Sequence, residues 1–141
     1  MIKDVLITPL SIIETLGGNV MHGMKVSDSG FSGFEEAYFS EVGFNAIKAW
    51  KRHKEMTLNL VVPVGKIKFV IFDDREREVQ FQEITISRDN YCRITVPPMV
   101  WFGFKGVSKG SSILLNIANM MHNTKEVERK NIKDIEYNWE N

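Results

Sequence analysis

The sequence predicts an all-β domain: a sandwich, a jelly roll or a small barrel. Short segments with apolar residues at every second position recur at a spacing of roughly 8–12 residues, which is typical of these folds. Turn-forming residues, among them Gly65 and the charged run 73–78, separate the segments. Only residues 124–130 have a helical pattern, with Thr124 as the N-cap of a short C-terminal helical segment.

The predicted strands follow one another along most of the chain. They cover residues 46–54, 58–64, 67–72, 79–86, 92–96 and 113–118. Within 79–86 the apolar positions change phase between Phe81 and Ile84, which predicts a bulge near residues 82–83. Pro97 and Pro98 end their strand because proline cannot donate a ladder hydrogen bond. The aromatic tail, residues 135–139, is expected to pack back onto the body.

Composition narrows the class of protein. At 141 residues the chain is expected to form one domain, residues 1–141. Lys plus Arg and Asp plus Glu both number 18, which argues against nucleic-acid binding because that function needs a basic excess. A single cysteine, Cys92, suits a reducing cytoplasm. No apolar run has the length of a signal peptide core or of the roughly 20 residues of a membrane span, so we expect a cytoplasmic protein without membrane contact.

An unusual number of cations marks the strand 46–54. Regular alternation would place Ile47, Ala49, Lys51 and His53 on one face, and Lys48, Trp50, Arg52 and Lys54 on the other. The first face is apolar at one end and basic at the other, which is typical of a strand that runs from a core into a cavity mouth. Two bases there can hold a pyrophosphate or a carboxylate. The alternative is a solvated edge strand, whose lysines discourage aggregation.

A metal site is not expected. Residues 51–53 lie where barrel metalloproteins of this type have a His-x-His pair, and only His53 is a histidine here. Leu58 stands where a third ligand would be expected, and His22 and His122 are isolated in sequence. A transition metal needs several nitrogen, oxygen or sulfur ligands, so the sequence predicts none.

Four segments, in this order and spacing, resemble the cupin superfamily and, within it, the dTDP-4-dehydrorhamnose 3,5-epimerase family. They are residues 33–40, 43–53, 64–74 and 97–106, and the closing Tyr137-Asn-Trp139 also fits. The resemblance extends over roughly residues 15–139. It implies a double-stranded β-helix jelly roll (a cupin barrel), usually a homodimer, that needs no cofactor and acts on a nucleotide-sugar in deoxysugar or surface-polysaccharide synthesis.

Members of that family epimerise a 4-keto-6-deoxy sugar by moving protons on the carbons beside the keto group. By this resemblance, the family's catalytic histidine falls at Lys51 and its tyrosine near Asn116. A second histidine of the family falls at Phe102, and its substrate-contacting arginine at Lys48. The aspartate that orients the family's histidine belongs to a C-terminal extension that is not expected in this sequence.

Two functions from different classes follow. In the first, an epimerase uses Lys51 as the base, its pKa lowered by burial and nearby cations, and Tyr38 as the acid. The proposed substrate-binding residues are Lys48, His53, Glu36, Phe34, Asn116, Trp101 and Phe102. In the second, the barrel binds a sugar nucleotide without catalysis, or is only a structural dimer whose aromatic residues fill the core. A Schiff base between Lys51 and a keto sugar is a further chemical option, although nothing in the sequence favours it.

Overall fold

The computed structural model describes all residues, Met1–Asn141, as two antiparallel sheets that face each other. The strands are β1 Leu6–Pro9, β2 Ile12–Ile13, β3 Val20–Met21, β4 Glu36–Val42, β5 Ile47–His53, β6 Leu58–Val64, β7 Ile67–Asp73, β8 Gln80–Ile86, β9 Cys92–Val96, β10 Trp101–Gly106, β11 Ser112–Ala118 and β12 Val127–Arg129. One sheet has the order β1-β9-β6-β11-β4 and the other β12-β5-β10-β7-β8, while β2 and β3 form a separate hairpin. The predicted all-β jelly roll is confirmed.

The core lies between the inner faces of the two sheets. Alternate residues of β6, such as Leu58 and Leu60, meet alternate residues of β7, such as Phe69 and Ile71, and all are almost completely buried. Period-two apolar segments form strands here because each strand can then bury one full row of side chains. Burying one such side chain stabilises the fold by about 1.5–3 kcal/mol.

A second apolar cluster covers the outer face of the sheet that contains β5. It consists of Trp50, Val70, Trp101, Ile135 and Trp139. The tail therefore packs back onto the body, as its aromatic residues predict. The ring centroids of Trp50 and Trp139 lie 5.3 Å apart. Because of this cover, the sheet has apolar residues on both faces.

Apolar contacts on both faces of the sheet explain why the bulge predicted near residues 82–83 is wrong. Strand β8 pairs with β7 in one unbroken register, from Gln80 opposite Asp73 to Ile86 opposite Ile67. Phe81 points outward, where its ring lies 4.8 Å from that of Phe72, whereas Ile84 and Ile86 belong to the inner core. The change of apolar phase is a change of face, so no extra residue is needed.

The predicted helix over residues 124–130 is also wrong. Residues 127–129 form strand β12, which pairs with β5 and places Val127 opposite His53. Lys130 and Trp50 then exchange two backbone hydrogen bonds of 3.0 Å. A seven-residue helix is unstable by itself, and the free edge of β5 supplies hydrogen bonds that outweigh the local helical preference. The one helical segment is a 3₁₀ turn at Ile132–Asp134, and no helix has the length and hydropathy to cross a membrane.

A bulge in β5 interrupts the regular alternation expected for residues 46–54. Lys51 pairs with Phe102 and Lys48 with Phe104, so three steps along β5 match two along β10. The extra residue reverses the faces, which turns Trp50 into the outer cluster and lets Lys48 and Lys51 reach one inner cavity. The expectation that these two lysines lie on opposite faces is therefore corrected.

We predict that Gly103→Ala destabilises the protein by about 1–3 kcal/mol, because the new methyl group overpacks the outer cluster. A Cβ at this position would lie 2.6 Å from the Cβ of Ala49 and 3.1 Å from Cζ2 of Trp139. Urea unfolding measures the change as a lower midpoint at an unchanged slope.

The control for this prediction is Gly23→Ala, because a Cβ at Gly23 would have no atom within 4 Å. We expect it to change stability by less than about 0.5 kcal/mol. Equal midpoints for the two variants would contradict the close approach of β5, β10 and the tail.

Candidate active site

A cavity of about 570 Å³ lies against the bulged part of β5. Strands β4, β5, β10, β11 and β12 all contribute to its wall. Its polar lining includes Tyr38, Ser40, Lys48, Lys51, Asn116 and Arg129. The ring of Phe102 supplies part of the apolar lining. Cations therefore meet aromatic and amide groups in one concave space, which is the arrangement expected of a small-molecule site.

The Lys51 amino group is the most perturbed cation in this cavity. Burial lowers the pKa of Lys51, the guanidinium of Arg129 and the ammonium of Lys48 lower it further, and the carboxylate of Glu126 acts in the opposite direction. Its Nζ lies 5.7 Å from the centroid of the Phe102 ring. A larger fraction of this amine is therefore unprotonated at neutral pH than of an exposed lysine.

Tyr38 brings a phenol to the same cavity. Burial raises the pKa of Tyr38, the carboxylate of Glu36 raises it further, and Arg129 opposes both. The side chain is 36% exposed, so the hydroxyl remains accessible to a bound molecule. The raised pKa keeps this phenol protonated at neutral pH, so it can donate a proton.

Asn116 fixes the wall between these two groups. Its amide nitrogen donates to the Ser40 hydroxyl at 3.1 Å and to the Tyr38 carbonyl at 3.3 Å. The residue is buried at 4% exposure, and a buried amide must find such partners. Asn116 therefore ties β11 to β4 and lines the cavity as well.

The structure brings only part of the predicted site together. The predicted residues that line the cavity are Lys51, Tyr38, Lys48, Asn116 and Phe102. Four other predicted residues lie outside the cavity lining, and their part in binding stays a prediction. His53 is buried beside the cavity, and Glu36 accepts the His122 backbone N–H at 2.8 Å. Phe34 precedes β4 and is 58% exposed, and Trp101 packs in the outer cluster.

The position of Trp101 follows from the direction of its side chain in β10. Phe102 and Phe104 point to the inner core, so Trp101 points outward. The Arg52 guanidinium lies 4.5 Å from its ring centroid and the Lys130 ammonium 5.0 Å. These two cations hold the indole at the outer surface of the sheet.

His53 forms a buried pair with Glu126 immediately beside the cavity. Nδ1 of His53 is hydrogen-bonded to the Glu126 carboxylate, whose second oxygen accepts the backbone N–H groups of Glu55 and Met56 at 3.2 Å each. The imidazole is stacked on Phe102, with ring centroids 6.3 Å apart. Its Nε2 is buried without a hydrogen-bond partner.

The charge state of this pair follows from its surroundings. Burial lowers the pKa of His53 and outweighs the hydrogen bond to Glu126, which acts in the opposite direction. Burial alone would raise the pKa of Glu126, but its hydrogen bonds from His53, Glu55 and Met56 outweigh that effect and lower it. The pair is therefore a neutral imidazole bound to a carboxylate at neutral pH.

Sequence reasoning misses the cavity residues contributed by the segment after Glu126. Arg129, Lys130, Asn131 and Asp134 all line the cavity. The helical assignment of residues 124–130 hides them, because three residues of strand are too few to show a period of two. The residues of the structure include no group of three or more His, Cys, Asp or Glu side chains that could hold a metal ion.

The structure of this chain is similar to crystal structures of several sugar-nucleotide enzymes. A crystal structure of a dTDP sugar isomerase from Desulfovibrio desulfuricans superposes with a TM-score of 0.93 at 35% identity, covering 98% of this chain and 92% of that one. A dTDP-4-dehydrorhamnose 3,5-epimerase from Elizabethkingia anophelis has the same fold, with a TM-score of 0.79 at 16% identity over 97% of this chain and 81% of its own.

Sequence comparison finds one curated relative and no matching family model. A probable low-salt glycan biosynthesis epimerase of Haloferax volcanii is 28% identical over 102 residues, which are 70% of this chain and 65% of the relative. This chain thus spans about two thirds of that relative's length, at 65%. No family model matches the sequence.

We predict that Glu126→Ala lowers the free energy of unfolding by about 3 kcal/mol, because each buried polar group left without a partner costs about 1–3 kcal/mol. The substitution removes the acceptor of His53 and of two backbone N–H groups. Chemical denaturation followed by tryptophan fluorescence measures the loss.

Glu128→Ala is the matched control, two residues further along the chain. Glu128 pairs with Arg52 at 3.0 Å, but both side chains are partly exposed, at 34% and 17%. A pair of this kind contributes about 0–1 kcal/mol, so this variant should be nearly as stable as the parent. A larger loss for Glu128→Ala than for Glu126→Ala would contradict the buried role of the histidine–glutamate pair.

Proposed function

Because this chain belongs to the cupin family of dTDP-sugar isomerases and epimerases, we propose that it isomerises or epimerises a nucleotide-linked 4-keto-6-deoxy sugar. The observation that carries the proposal is the shared cavity of Lys51 and Tyr38. One is an amine whose pKa is lowered, mainly by burial, and the other is a phenol whose pKa is raised, mainly by burial. The two shifts favour the unprotonated form of the amine, which can accept a proton, and the protonated form of the phenol, which can donate one.

The reaction starts with loss of a proton from a carbon beside the keto group. That proton is acidic because the resulting negative charge spreads onto the carbonyl oxygen, and nearby cations stabilise the charge as it develops. Lys48 and Arg129 are the cations available in the cavity. The Lys51 amine promotes the proton loss, and Tyr38 returns a proton at the end of the cycle.

The charge of the cavity supports an anionic substrate. Lys48, Lys51 and Arg129 line it together with a single acid, Asp134. A sugar nucleotide carries a diphosphate, which cations of this kind bind as point charges or bidentate forks. The apolar face of Phe102 suits the deoxygenated side of the sugar. The relatives named above act on dTDP sugars or in glycan biosynthesis, and we assign this chain the same substrate class.

We extend the proposal to the state of the protein in the cell. The family resemblance supports a homodimer in the cytoplasm that works in deoxysugar or surface-polysaccharide synthesis. The single thiol, Cys92, is buried and unpaired, which is compatible with a reducing compartment. Sedimentation analysis tests the dimer.

We predict that the protein exchanges the protons beside the keto group of dTDP-4-keto-6-deoxyglucose for deuterium in D₂O. Lys51→Met should slow that exchange by about 10²–10⁴-fold, since a positioned acid–base group contributes a factor of this size. Proton NMR of the sugar measures the rate. The rate should also rise with pH along a titration that lies below the ordinary lysine pKa of 10.5, because the free amine is the active form.

Lys109→Met is the control for the loss of a lysine. Lys109 is exposed between β10 and β11, outside the cavity, and its replacement should leave the exchange rate unchanged. Exchange at the parental rate in Lys51→Met would remove Lys51 from the mechanism. If the parent binds dTDP but exchanges no proton, the protein is a sugar-nucleotide binder instead of an enzyme.

We also predict that Arg129→Gln weakens the binding of dTDP by about 10- to 100-fold, since a hydrogen bond to a charged group contributes about 1.5–3 kcal/mol. Isothermal titration calorimetry measures the affinity. The difference between parent and variant should shrink as salt is added, because screening weakens the ionic contribution. Unchanged affinity at low salt would show that the diphosphate lies elsewhere.

A further inference from the structure

The Lys51 amine differs from an ordinary catalytic base in one respect: no carboxylate holds it in place. Its Nζ takes part in no ion pair, and it lies 5.7 Å from the centroid of the Phe102 ring. By contrast, the neighbouring His53 is held by Glu126. A general base works through a fixed lone pair, and it is normally held in place by a third group.

A flexible amine can act in another way, as a nucleophile. A covalent bond to the substrate sets the distance and direction that a hydrogen-bonding partner would otherwise have to supply. The cavity of about 570 Å³ has room for a sugar beside Lys51. Burial of the site and the adjacent Arg129 guanidinium lower the pKa of Lys51, which increases the fraction of free amine, the form that attacks a carbonyl.

Resting on the proposed function, we infer that Lys51 forms an imine with the keto carbon of the sugar. The Nζ lone pair makes a C–N bond as the C=O π bond breaks, and one amine proton moves to the oxygen. Tyr38 then donates its proton to this hydroxyl, which leaves as water, so that a C=N⁺ iminium and a Tyr38 phenolate remain.

The phenolate next takes a proton from the carbon beside the iminium. The electrons of that C–H bond form a C=C bond, those of the C=N⁺ bond return to nitrogen, and a neutral enamine results. Return of a proton and addition of water reverse these steps, releasing the sugar and the Lys51 amine. Water is lost once and regained once, so the cycle needs no oxidant or reductant.

The electrostatics of the cavity favour this sequence. Lys48 and Arg129 lie in the same cavity as Lys51 and repel a second positive charge there. An iminium beside them is therefore destabilised relative to the neutral enamine, and the difference drives loss of the carbon-bound proton. The repulsion that favours the unprotonated amine thus also promotes the step that the reaction requires.

Reductive trapping tests the inference. The full chain is incubated with dTDP-4-keto-6-deoxyglucose and sodium cyanoborohydride, which reduces an imine to a stable amine, and labelled peptides are mapped by mass spectrometry. We expect the sugar adduct on Lys51 in the parent and in Lys109→Arg, and loss of that adduct in Lys51→Arg. Adducts on exposed lysines alone would overturn the inference.

Acetylacetone provides a second probe that does not depend on the choice of sugar. This β-diketone converts an imine-forming lysine into a vinylogous amide with strong ultraviolet absorption. The parent should gain this absorption with the modification mapped to Lys51, and an intact cavity whose Lys51 stays unmodified would overturn the inference.

The two proposals fail separately. Deuterium exchange without any adduct on Lys51 removes the imine and leaves an enzyme that uses Lys51 as a base. Absence of both exchange and adduct, with dTDP still bound, removes the enzymatic function together with the imine.

Discussion

The bulge in β5 determines which side chains lie on each face of the sheet that contains this strand, the outer cluster on one face and the cavity on the other. Between Lys48 and Lys51 the strand gains one residue relative to β10, and the faces of its side chains reverse. Trp50 is thereby free to anchor the outer cluster while the two lysines face the cavity. A regular strand would place Lys48 and Lys51 on opposite faces, so only one of them could reach the cavity.

The outer cluster and the cavity are mechanically linked through this strand. Gly103 lets Ala49 and Trp139 approach β10 closely, and Trp50 packs against the same tail. On the other edge of β5, β12 carries Arg129 and follows directly on Glu126, which holds His53. The residues that surround Lys51 therefore come from elements that are fixed by packing on the opposite side of the sheet. The position of the Lys51 amine thus depends in part on residues of the outer cluster, such as Trp139.

Most of the fold can be predicted from the sequence, because alternating segments such as 58–64 and 92–96 each bury a full row of side chains. The wrong predictions lie where pairing with a segment far away in the sequence determines the local structure. Residues 127–129 pair with the edge of β5, and Phe81 contacts the rings of Phe72 and Tyr137 on the outer face of β8, so that strand needs no bulge. A short segment contains no information about a partner that lies far away in the sequence.

The same reasoning applies to the site. The resemblance points to Lys48, Lys51, Asn116 and Phe102, and the sequence also proposes Tyr38 as the acid; all five residues line the cavity. Arg129 lies beyond such reasoning, although it does most among the neighbouring charges to depress the pKa of Lys51 after burial itself. Grouping these cations around one acid costs the empty protein electrostatic repulsion. Binding of an anion would offset this repulsion, so the arrangement favours an anionic ligand over a neutral one. The same repulsion adds to burial in lowering the pKa of Lys51.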